Sequence, residues 1–191
     1  MILRFTVPVS LGNLFQQLYN IADVVIVGRT IGVEALAAVG SVTPLFMMTM
    51  VLTIGLSNGC TVVTGQRYGA GDMDGMRRSI GTCTVLSVLF TLLIMLVFHI
   101  IIDPALVLMN IPLELLEDAK AYVMIIVDGL FAMMGYNLLS GIMRSLGDSK
   151  TPLYFLIVSS VVNIALALFF ILVLGWGVPG SAVALVIAQA I

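Results

Sequence analysis

Residues 81–102 read GTCTVLSVLFTLLIMLVFHIII, a run that contains no Asp, Glu, Lys or Arg. A transmembrane α-helix needs about 20 predominantly apolar residues to cross the roughly 30 Å hydrocarbon core of a bilayer. The run meets that requirement in both length and composition. It therefore predicts a helix that spans a membrane.

The composition of the whole chain agrees with a bilayer environment. Hydrophobic residues make up 61% of the 191 residues and charged residues only 9%, whereas soluble domains are about 45–50% apolar and about a quarter charged. A soluble domain of this size leaves too much of its surface exposed to hide so many apolar side chains. The net charge of −2 gives no reason to expect a nucleic-acid partner.

Similar apolar segments recur along the chain and predict a polytopic, all-α membrane protein. It would be a helical bundle of five complete transmembrane helices and the start of a sixth. We place the spans at residues 4–28, 34–66, 77–102, 116–145, 152–174 and 178–191. The last segment reaches Ile191 without a polar or charged stop, so we interpret the chain as one transmembrane lobe, truncated within its sixth span.

Local features of these spans lead to further expectations. Pro44 lies inside the second span and should bend it. Gly55 and Gly59 form a GxxxG pattern, which is typical of close helix packing in membranes. Pro104 and Pro112 are expected in an acidic loop after the third span.

The sequence contains no sign of an enzyme. It has no phosphate-binding loop, no nucleophile motif and no Cys/His spacing that suits a metal. Cys60 and Cys83 lie among apolar or small residues and are expected to be buried free thiols, and His99 is more typical of a structural residue than of a ligand. We therefore expect no enzyme activity, no resident metal and no cofactor.

The basic residues predict the orientation of the bundle. If the N-terminus is cytoplasmic, six of them fall on the cytoplasmic side and only Arg29 and Lys120 on the other. The cytoplasmic set comprises Arg4, Arg67, Arg77, Arg78, Arg144 and Lys150. We therefore predict a multi-pass protein of the inner (plasma) membrane with a cytoplasmic N-terminus.

The first predicted span carries a polar stripe along one side. At 100° per residue, its polar residues fall within an arc of about 140°. Each unsatisfied polar group in hydrocarbon costs several kcal/mol, so the stripe should face other helices or a wet cavity. Hydrogen bonding between packed helices would explain it, but so many long amides favour the wall of a substrate cavity. The stripe comprises Thr6, Ser10, Asn13, Gln16, Gln17, Asn20 and Asp23.

Asp23 is the main candidate for a coupling site. No basic residue lies one helical turn away from it, and a carboxylate inside a membrane is costly and usually functional. It is suited to bind a proton or another cation. The alternative is a structural carboxylate held by a partner.

Other polar residues lie in later spans. Asn137 and Asp128 of the fourth span are candidates for lining the cavity, although Asp128 could equally sit near the lipid headgroups. Asn58 and Asn163 are isolated polar residues in the second and fifth spans. For each of these two, helix packing and cavity lining are equally compatible with the sequence.

Four motifs, in order along nearly the whole chain, resemble the multidrug and toxic compound extrusion (MATE) family. They are PVSLGNLFQQLYNIADVVIVGR at 8–29, GQRYGAGD at 65–72, YN at 136–137 with RSLGDSKTP at 144–152, and VPGSAVA at 178–184. The resemblance implies a twelve-helix antiporter of two six-helix lobes that exchanges cationic, amphipathic compounds for protons or sodium by alternating access. This chain would be the N-terminal lobe, and its partners would be the lipid bilayer, such compounds and the missing C-terminal lobe.

The resemblance also implies roles for individual residues. Asp23 matches an acid that family members keep as a proton or cation site, Asn163 matches an asparagine of helix 5, and Pro8 matches a proline associated with bending of helix 1. Ala167 and Leu185 stand where many members have an aspartate and a threonine. A cation cage built on all four groups cannot form here, so we favour simple protonation of Asp23, with Asp128 as an alternative contributor.

Two rival functions remain at this point. One is a flippase for lipid-linked oligosaccharides from the same superfamily. Such proteins tend to carry several basic residues in the cavity, and we expect none in the membrane spans of this chain. The other is a membrane module that transports nothing, in which the polar stripe only joins helices. A channel is disfavoured because the spans contain no repeated pore element.

Overall fold

The computed structural model describes residues 10–12, 14, 21, 25, 26, 28, 29 and 32–191. Within these residues the chain forms α-helices joined by short turns, without any strand. From residue 32 onward the helices are α1 (Val33–Ser41), α2 (Thr43–Gly69), α3 (Met73–Leu108), α4 (Leu113–Asp128), α5 (Leu130–Ser145), α6 (Lys150–Leu168) and α7 (Gly177–Gln189), with a π-helical segment, Phe169–Val173, after α6.

Three of the described helices are long and apolar enough to cross a membrane. They are α2, α3 and the continuous stretch Lys150–Val173, and the pair α4 and α5 makes a fourth span if its 45° bend lies within one crossing. The prediction of an all-α membrane bundle is confirmed.

The second predicted span, 34–66, is two helices rather than one bent helix. The chain breaks at Val42, whose φ of −95° and ψ of 1° are not helical, and Pro44 lies in the first turn of α2. A first-turn residue needs no intrahelical partner for its N–H, and proline has none to offer. Pro44 therefore begins a helix, and the prediction that it bends one is wrong.

The fourth predicted span, 116–145, is broken at Gly129 between α4 and α5. A β-carbon at Gly129 would overlap the side chain of Val186 in α7. The absence of a side chain thus lets α7 pack directly against the bend.

Pro104 lies inside α3 and not in a loop, so that prediction is also wrong. Pro104 lies one turn before the end of α3, where it disrupts the helix little because only one backbone hydrogen bond is lost. The chain reverses at Asn110, which has a left-handed φ of 52°. Beyond the turn, Lys120 of α4 forms an ion pair with Asp103 of α3.

Among the described residues, the hydrophobic core has two parts. The larger part joins α1, α3, α4, α5 and α7 through buried side chains that include Ala38, Phe98, Ile102, Leu106, Val123, Val127, Leu130, Val178 and Ala182. The smaller part lies between α2, α3 and α5 and comprises Cys60, Cys83, Leu138 and Ile142. Both cysteines are buried free thiols, as expected.

Close helix packing occurs between α2 and α5, away from the GxxxG pattern. A β-carbon at Gly141 of α5 would overlap Oγ1 of Thr61, and one at Gly65 of α2 would lie 3.3 Å from Cβ of Ser145. At Gly55 and Gly59, by contrast, no described atom lies within 4 Å of an added β-carbon. Within the part of the chain that the structure describes, no helix therefore packs closely at this pattern.

Two polar turns lie at the end of the bundle where Gly65 meets Ser145. In the first, Asp72 accepts hydrogen bonds from the N–H of Gly75 (2.9 Å) and from Arg67 (2.8 Å), and these two contacts lower the pKa of Asp72. In the second, hydrogen bonds from Thr151 and from the N–H of Lys150 lower the pKa of Asp148. Both aspartates hold the first turn of the helix that follows.

Candidate functional site

A polar cavity of about 330 Å³ lies between α2 and α5. We call it the α2–α5 cavity. Five of its seven lining residues are polar or charged. The residues that line it are Ile54, Ser57, Asn58, Thr61, Asn137, Gly141 and Arg144.

Helical spacing brings these side chains together. One side of α2 carries Ser57, Asn58 and Thr61. Thr61 follows Ser57 by four positions and Asn58 by three, a spacing that places side chains on the same side of a helix. On α5, Asn137 and Gly141 are four residues apart and Arg144 follows three residues later. Because Gly141 has no side chain, the two polar sides can approach each other.

Three polar side chains of the cavity bond within their own helix, whereas Ser57 Oγ donates across to Sδ of Met134 in α5 (3.6 Å). Thr61 Oγ1 donates to the Ser57 carbonyl (2.8 Å), and Asn137 Nδ2 donates to the Met133 carbonyl (2.8 Å). Arg144 Nε donates to the Ser140 carbonyl (3.1 Å). The amide oxygen of Asn137 and the terminal nitrogens of Arg144 make no hydrogen bond to another described residue, so they can bind a polar group of a solute.

Arg144 introduces positive charge at one end of the cavity. It is half-buried in the last turn of α5, next to Ser145 and the polar turns. The expectation that no basic residue lies in a span or lines the cavity is therefore wrong. The sequence places Arg144 in the cytoplasmic charge count and in the RSLGDSKTP motif, but it does not predict a lining role, because a residue at a helix end can face either the loop or the bundle.

Asn163 of α6 is fully buried, at 0% exposure, and neither its Oδ1 nor its Nδ2 has a hydrogen-bond partner among the described residues. It shares a helix face with Leu156 and with Ser159, whose hydroxyl donates to the Ala188 carbonyl of α7. Leaving a buried amide unpaired costs about 1–3 kcal/mol. Such a group is expected where a ligand or a change of conformation supplies the partner.

The N-terminal segment packs against the same region of α6. A β-carbon at Gly12 would lie 3.8 Å from side-chain atoms of both Leu153 and Leu156. Leu156 lies two helical turns before Asn163. Gly12 is therefore a neighbour of the face of α6 that carries Leu156 and Asn163.

Asp128 lies apart from the α2–α5 cavity. It is the last residue of α4, its side chain is 57% exposed, and its Oδ1 is 3.5 Å from Nε2 of His99. The Nδ1 of His99 is 2.9 Å from the Met95 carbonyl. This arrangement pairs α3 with the bend between α4 and α5.

Six of the predicted site residues fall outside the described part of the chain. They are Pro8, Asn13, Gln16, Gln17, Asn20 and Asp23. Of the remaining three, Asn137 lies in the α2–α5 cavity, Asn163 lies buried on α6, and Asp128 lies near His99. Sequence analysis missed Ser57, Thr61 and Arg144 as lining residues.

Comparison with known proteins adds the following findings. The MatE family model matches residues 8–169. The chain is 36% identical over 190 residues to the Probable multidrug resistance protein YoeA of Bacillus subtilis (strain 168), covering 96% of this chain and 41% of that protein. It is 30% identical over 187 residues to the Probable multidrug resistance protein YpnP of the same organism, covering 98% of this chain and 42% of that protein.

The fold is also similar to a solved structure of a multidrug resistance MATE family transporter of the MOP superfamily in an outward-facing conformation. The TM-score is 0.93 and the identity 32%, and the match covers 98% of this chain and 42% of that chain. The chain thus spans about two fifths of the length of these relatives.

Proposed function

Since the chain belongs to the MatE family, we propose that it forms one lobe of a secondary active exporter of cationic, amphipathic compounds. Its export cycle would be alternating access, in which two lobes rock around a shared cavity. The proposal also includes a cytoplasmic N-terminus in a plasma membrane. The relatives named for multidrug resistance support this substrate class.

The observation that carries the proposal is the α2–α5 cavity. Polar side chains inside a membrane are costly and usually mark a solute pathway. Asn58 and Asn137 offer amide groups to a solute, while Ile54 offers apolar contact. That combination suits amphipathic molecules, which need one polar and one apolar partner.

We further propose that Asp23 couples export to the proton gradient with Asn163 as its neighbour. In the predicted helix over 4–28, Asp23 lies 11 residues beyond Gly12, or about 16 Å along the axis. Asn163 lies seven residues beyond Leu156, which is near Gly12, and 10 residues beyond Leu153. If both helices cross the membrane in the same direction, Asp23 and the amide of Asn163 come to a similar depth.

The chemistry of this pair favours a proton over sodium. A proton needs one carboxylate, whereas a sodium ion needs several oxygen ligands. Ala167 and Leu185 contribute no side-chain oxygen at the positions that the family resemblance points to. The amide of Asn163, which has no partner among the described residues, would then donate to, or accept from, the carboxyl group of Asp23 in one protonation state.

Arg144 favours a second candidate, a flippase for lipid-linked oligosaccharides, because a guanidinium binds phosphate in a bidentate manner. A single guanidinium in the described cavity is less than the several basic residues expected for that function. Export of amphipathic compounds therefore remains the preferred function. The two candidates differ in the effect of Arg144→Gln, which should abolish phosphate-dependent flipping but leave most ethidium export intact.

The test is ethidium export by the full-length transporter in proteoliposomes, under a proton gradient and separately under a sodium gradient. Asp23→Asn should abolish proton-driven export and leave the melting temperature unchanged or slightly higher, because the amide removes a buried charge. Asp118→Asn, the same substitution on the exposed side of α4, is the control. Parental export by Asp23→Asn under both gradients would refute the coupling role, and unfolding would make Asp23 a structural residue.

The proposed orientation has its own test. Asp72→Cys and Asp148→Cys place thiols in the two polar turns at one end of the bundle, while the native cysteines are buried. An impermeant maleimide should label both variants only in inside-out vesicles. Labelling of either from the outside of intact cells would contradict a cytoplasmic N-terminus.

A further inference from the structure

A second cavity, of about 540 Å³, lies on the other side of α2, between α2 and α3. We call it the α2–α3 groove. Towards the middle of α2 it is lined by small and apolar residues, including Gly55, Gly59 and Val63, and Leu86 faces them from α3. Val63 and Leu86 are 44% and 48% exposed, so the groove opens to the outside of the bundle.

The two glycines create the space in this groove. No described atom lies within 4 Å of a β-carbon built at Gly55 or at Gly59. Small residues on a membrane helix usually allow a second helix to approach, but α3 does not fill this position. The glycines instead leave a channel for another apolar molecule.

The opposite end of the groove is cationic. Arg67 and Arg78 both line it, together with the hydroxyl groups of Ser79 and Thr82. Arg67 forms an ion pair with Asp72 at 2.8 Å. Arg78 is exposed, and its guanidinium forms no ion pair within the part of the chain that the structure describes.

The length of the groove matches one leaflet of a bilayer. Gly55 and Arg67 are 12 residues apart on α2, which corresponds to about 18 Å along the helix. Half of the roughly 30 Å hydrocarbon core is about 15 Å. The polar turn at 70–72 joins two membrane-spanning helices and must lie at a membrane surface, so the arginines are at headgroup depth and Gly55 is near the bilayer centre.

We propose that the α2–α3 groove binds one anionic phospholipid. Its phosphate would lie against Arg78 and Arg67, and one acyl chain would run over Gly59 and Gly55. Basic pockets at the surface between transmembrane helices recognise anionic headgroups in this way. The site lies on the side of α2 opposite the α2–α5 cavity, and it does not depend on the proposed export activity.

The headgroup part of the proposal is tested with native mass spectrometry of the purified protein. The probes are phosphatidylglycerol and phosphatidylcholine with the same acyl chains. Wild type should retain phosphatidylglycerol in preference, and Arg78→Ala should weaken that binding about fivefold. Arg77→Ala is the matched control, since Arg77 is the adjacent exposed cation and does not line the groove.

Three results would overturn this part of the proposal. The first is equal retention of the two lipids by wild type. The second is an equal loss of phosphatidylglycerol in Arg77→Ala and Arg78→Ala, which would indicate diffuse attraction to surface charge. The third is full displacement of the lipid by inorganic phosphate, which would indicate an anion site without a role for the acyl chain.

The acyl-chain part is tested by filling the groove. Gly59→Leu should lower the retention of both lipids about fivefold or more, because the new side chain occupies the space of the acyl chain. Gly81→Leu is the matched control, because Gly81 of α3 also has no described atom within 4 Å of an added β-carbon and lies outside the groove. Unchanged retention in Gly59→Leu, with a melting temperature equal to that of Gly81→Leu, would contradict an acyl chain over the glycines.

Discussion

On one side of α2, Ser57, Asn58 and Thr61 meet α5 around a polar cavity, whereas on the other side Gly55 and Gly59 open onto an apolar groove against α3. The polar side is the closely packed one, since Gly141 of α5 has no room for a β-carbon beside Thr61. The glycine side is open. A glycine pair in a membrane helix can therefore allow a close helix contact or leave space for a lipid chain. Which of the two occurs depends on the molecule that lies beside the glycines.

The physical reason for this difference is the solvent on each side. Polar groups in hydrocarbon need partners inside the protein, so the hydroxyl and amide groups of α2 face another helix. Glycine and valine need no such partner, and lipid chains pack against them as well as protein does. The two sides of α2 can thus be tested separately by substitution.

The largest effect is expected for overpacking on the closed side. Gly141→Leu should destabilise the protein by about 1–3 kcal/mol or more, because its side chain overlaps Thr61. Gly59→Leu should be neutral or stabilising by up to about 0.8 kcal/mol, because it replaces glycine in a helix without a clash. Thermal unfolding followed by far-UV circular dichroism in detergent measures both. Equal shifts of the two melting temperatures would mean that the two sides of α2 are not packed differently.

At Asn163 a gain in stability is expected, in contrast to the loss at Gly141. Asn163→Leu removes a buried amide that has no hydrogen-bond partner among the described residues, and it should raise the free energy of unfolding by about 1–3 kcal/mol. The same variant should impair proton-driven export if Asn163 assists Asp23. A loss of stability would instead show that the amide has a structural partner.

Two buried threonines of α2 give a finer comparison. Thr53 Oγ1 donates to the Thr49 carbonyl at 2.8 Å, whereas Thr64 Oγ1 is buried without a hydrogen-bond partner among the described residues. Thr53→Val should therefore cost about 0.5–1.5 kcal/mol, and Thr64→Val should be neutral or stabilising. Denaturant or thermal melts of the pair measure the difference. The reverse order would argue that Thr64 is the bonded residue.

The smallest effect on stability is expected for Asp72, in the polar turn at 70–72 beside the α2–α3 groove. The pKa of Asp72 is lowered in the folded protein by its hydrogen bonds to Gly75 and Arg67. The cap therefore contributes its full stability above the unfolded pKa of about 3.9 and loses it as pH falls through the lower folded value. Wild type should melt slightly above Asp72→Ala at pH 7, and the two should converge in acid.

The control for that experiment is Asp74→Ala, which removes a carboxylate from the same turn without removing the cap. Its melting temperature should follow wild type across the pH range. A constant difference between wild type and Asp72→Ala from neutral to acidic pH would show that the carboxylate charge contributes nothing to the turn.

The positions of the helices could be predicted from the sequence more reliably than the contacts between them. Apolar runs such as 81–102 predict a span because length and hydrophobicity are properties of one segment. Pro44 and Pro104 were assigned wrongly because a proline fits either a bend or a helix end, and its effect depends on where neighbouring backbone bonds begin. The close packing expected at Gly55 and Gly59 is absent among the described residues, and a GxxxG pattern does not identify which molecule lies beside it.

The candidate site could be predicted only in part, because some of its residues follow from the local sequence and others depend on contacts between helices. Asn137 was expected in a cavity because an amide in a span needs a polar environment. Thr61 and Arg144 were missed, since a threonine can bond to its own helix and an arginine at a helix end can face water. Their role in the lining arises from the approach of α2 to α5 at Gly141, which depends on tertiary packing and not on local pattern.

The most direct test of solute passage along the α2–α5 cavity is ethidium export by the full-length transporter carrying Asn58→Leu. Asn58 lines the cavity, so an apolar side chain there should lower export about tenfold by removing a polar partner, without a change in melting temperature. Val62→Leu, an exposed position of α2 that lines neither cavity, should export at the parental rate. Parental export by Asn58→Leu would contradict passage through the cavity.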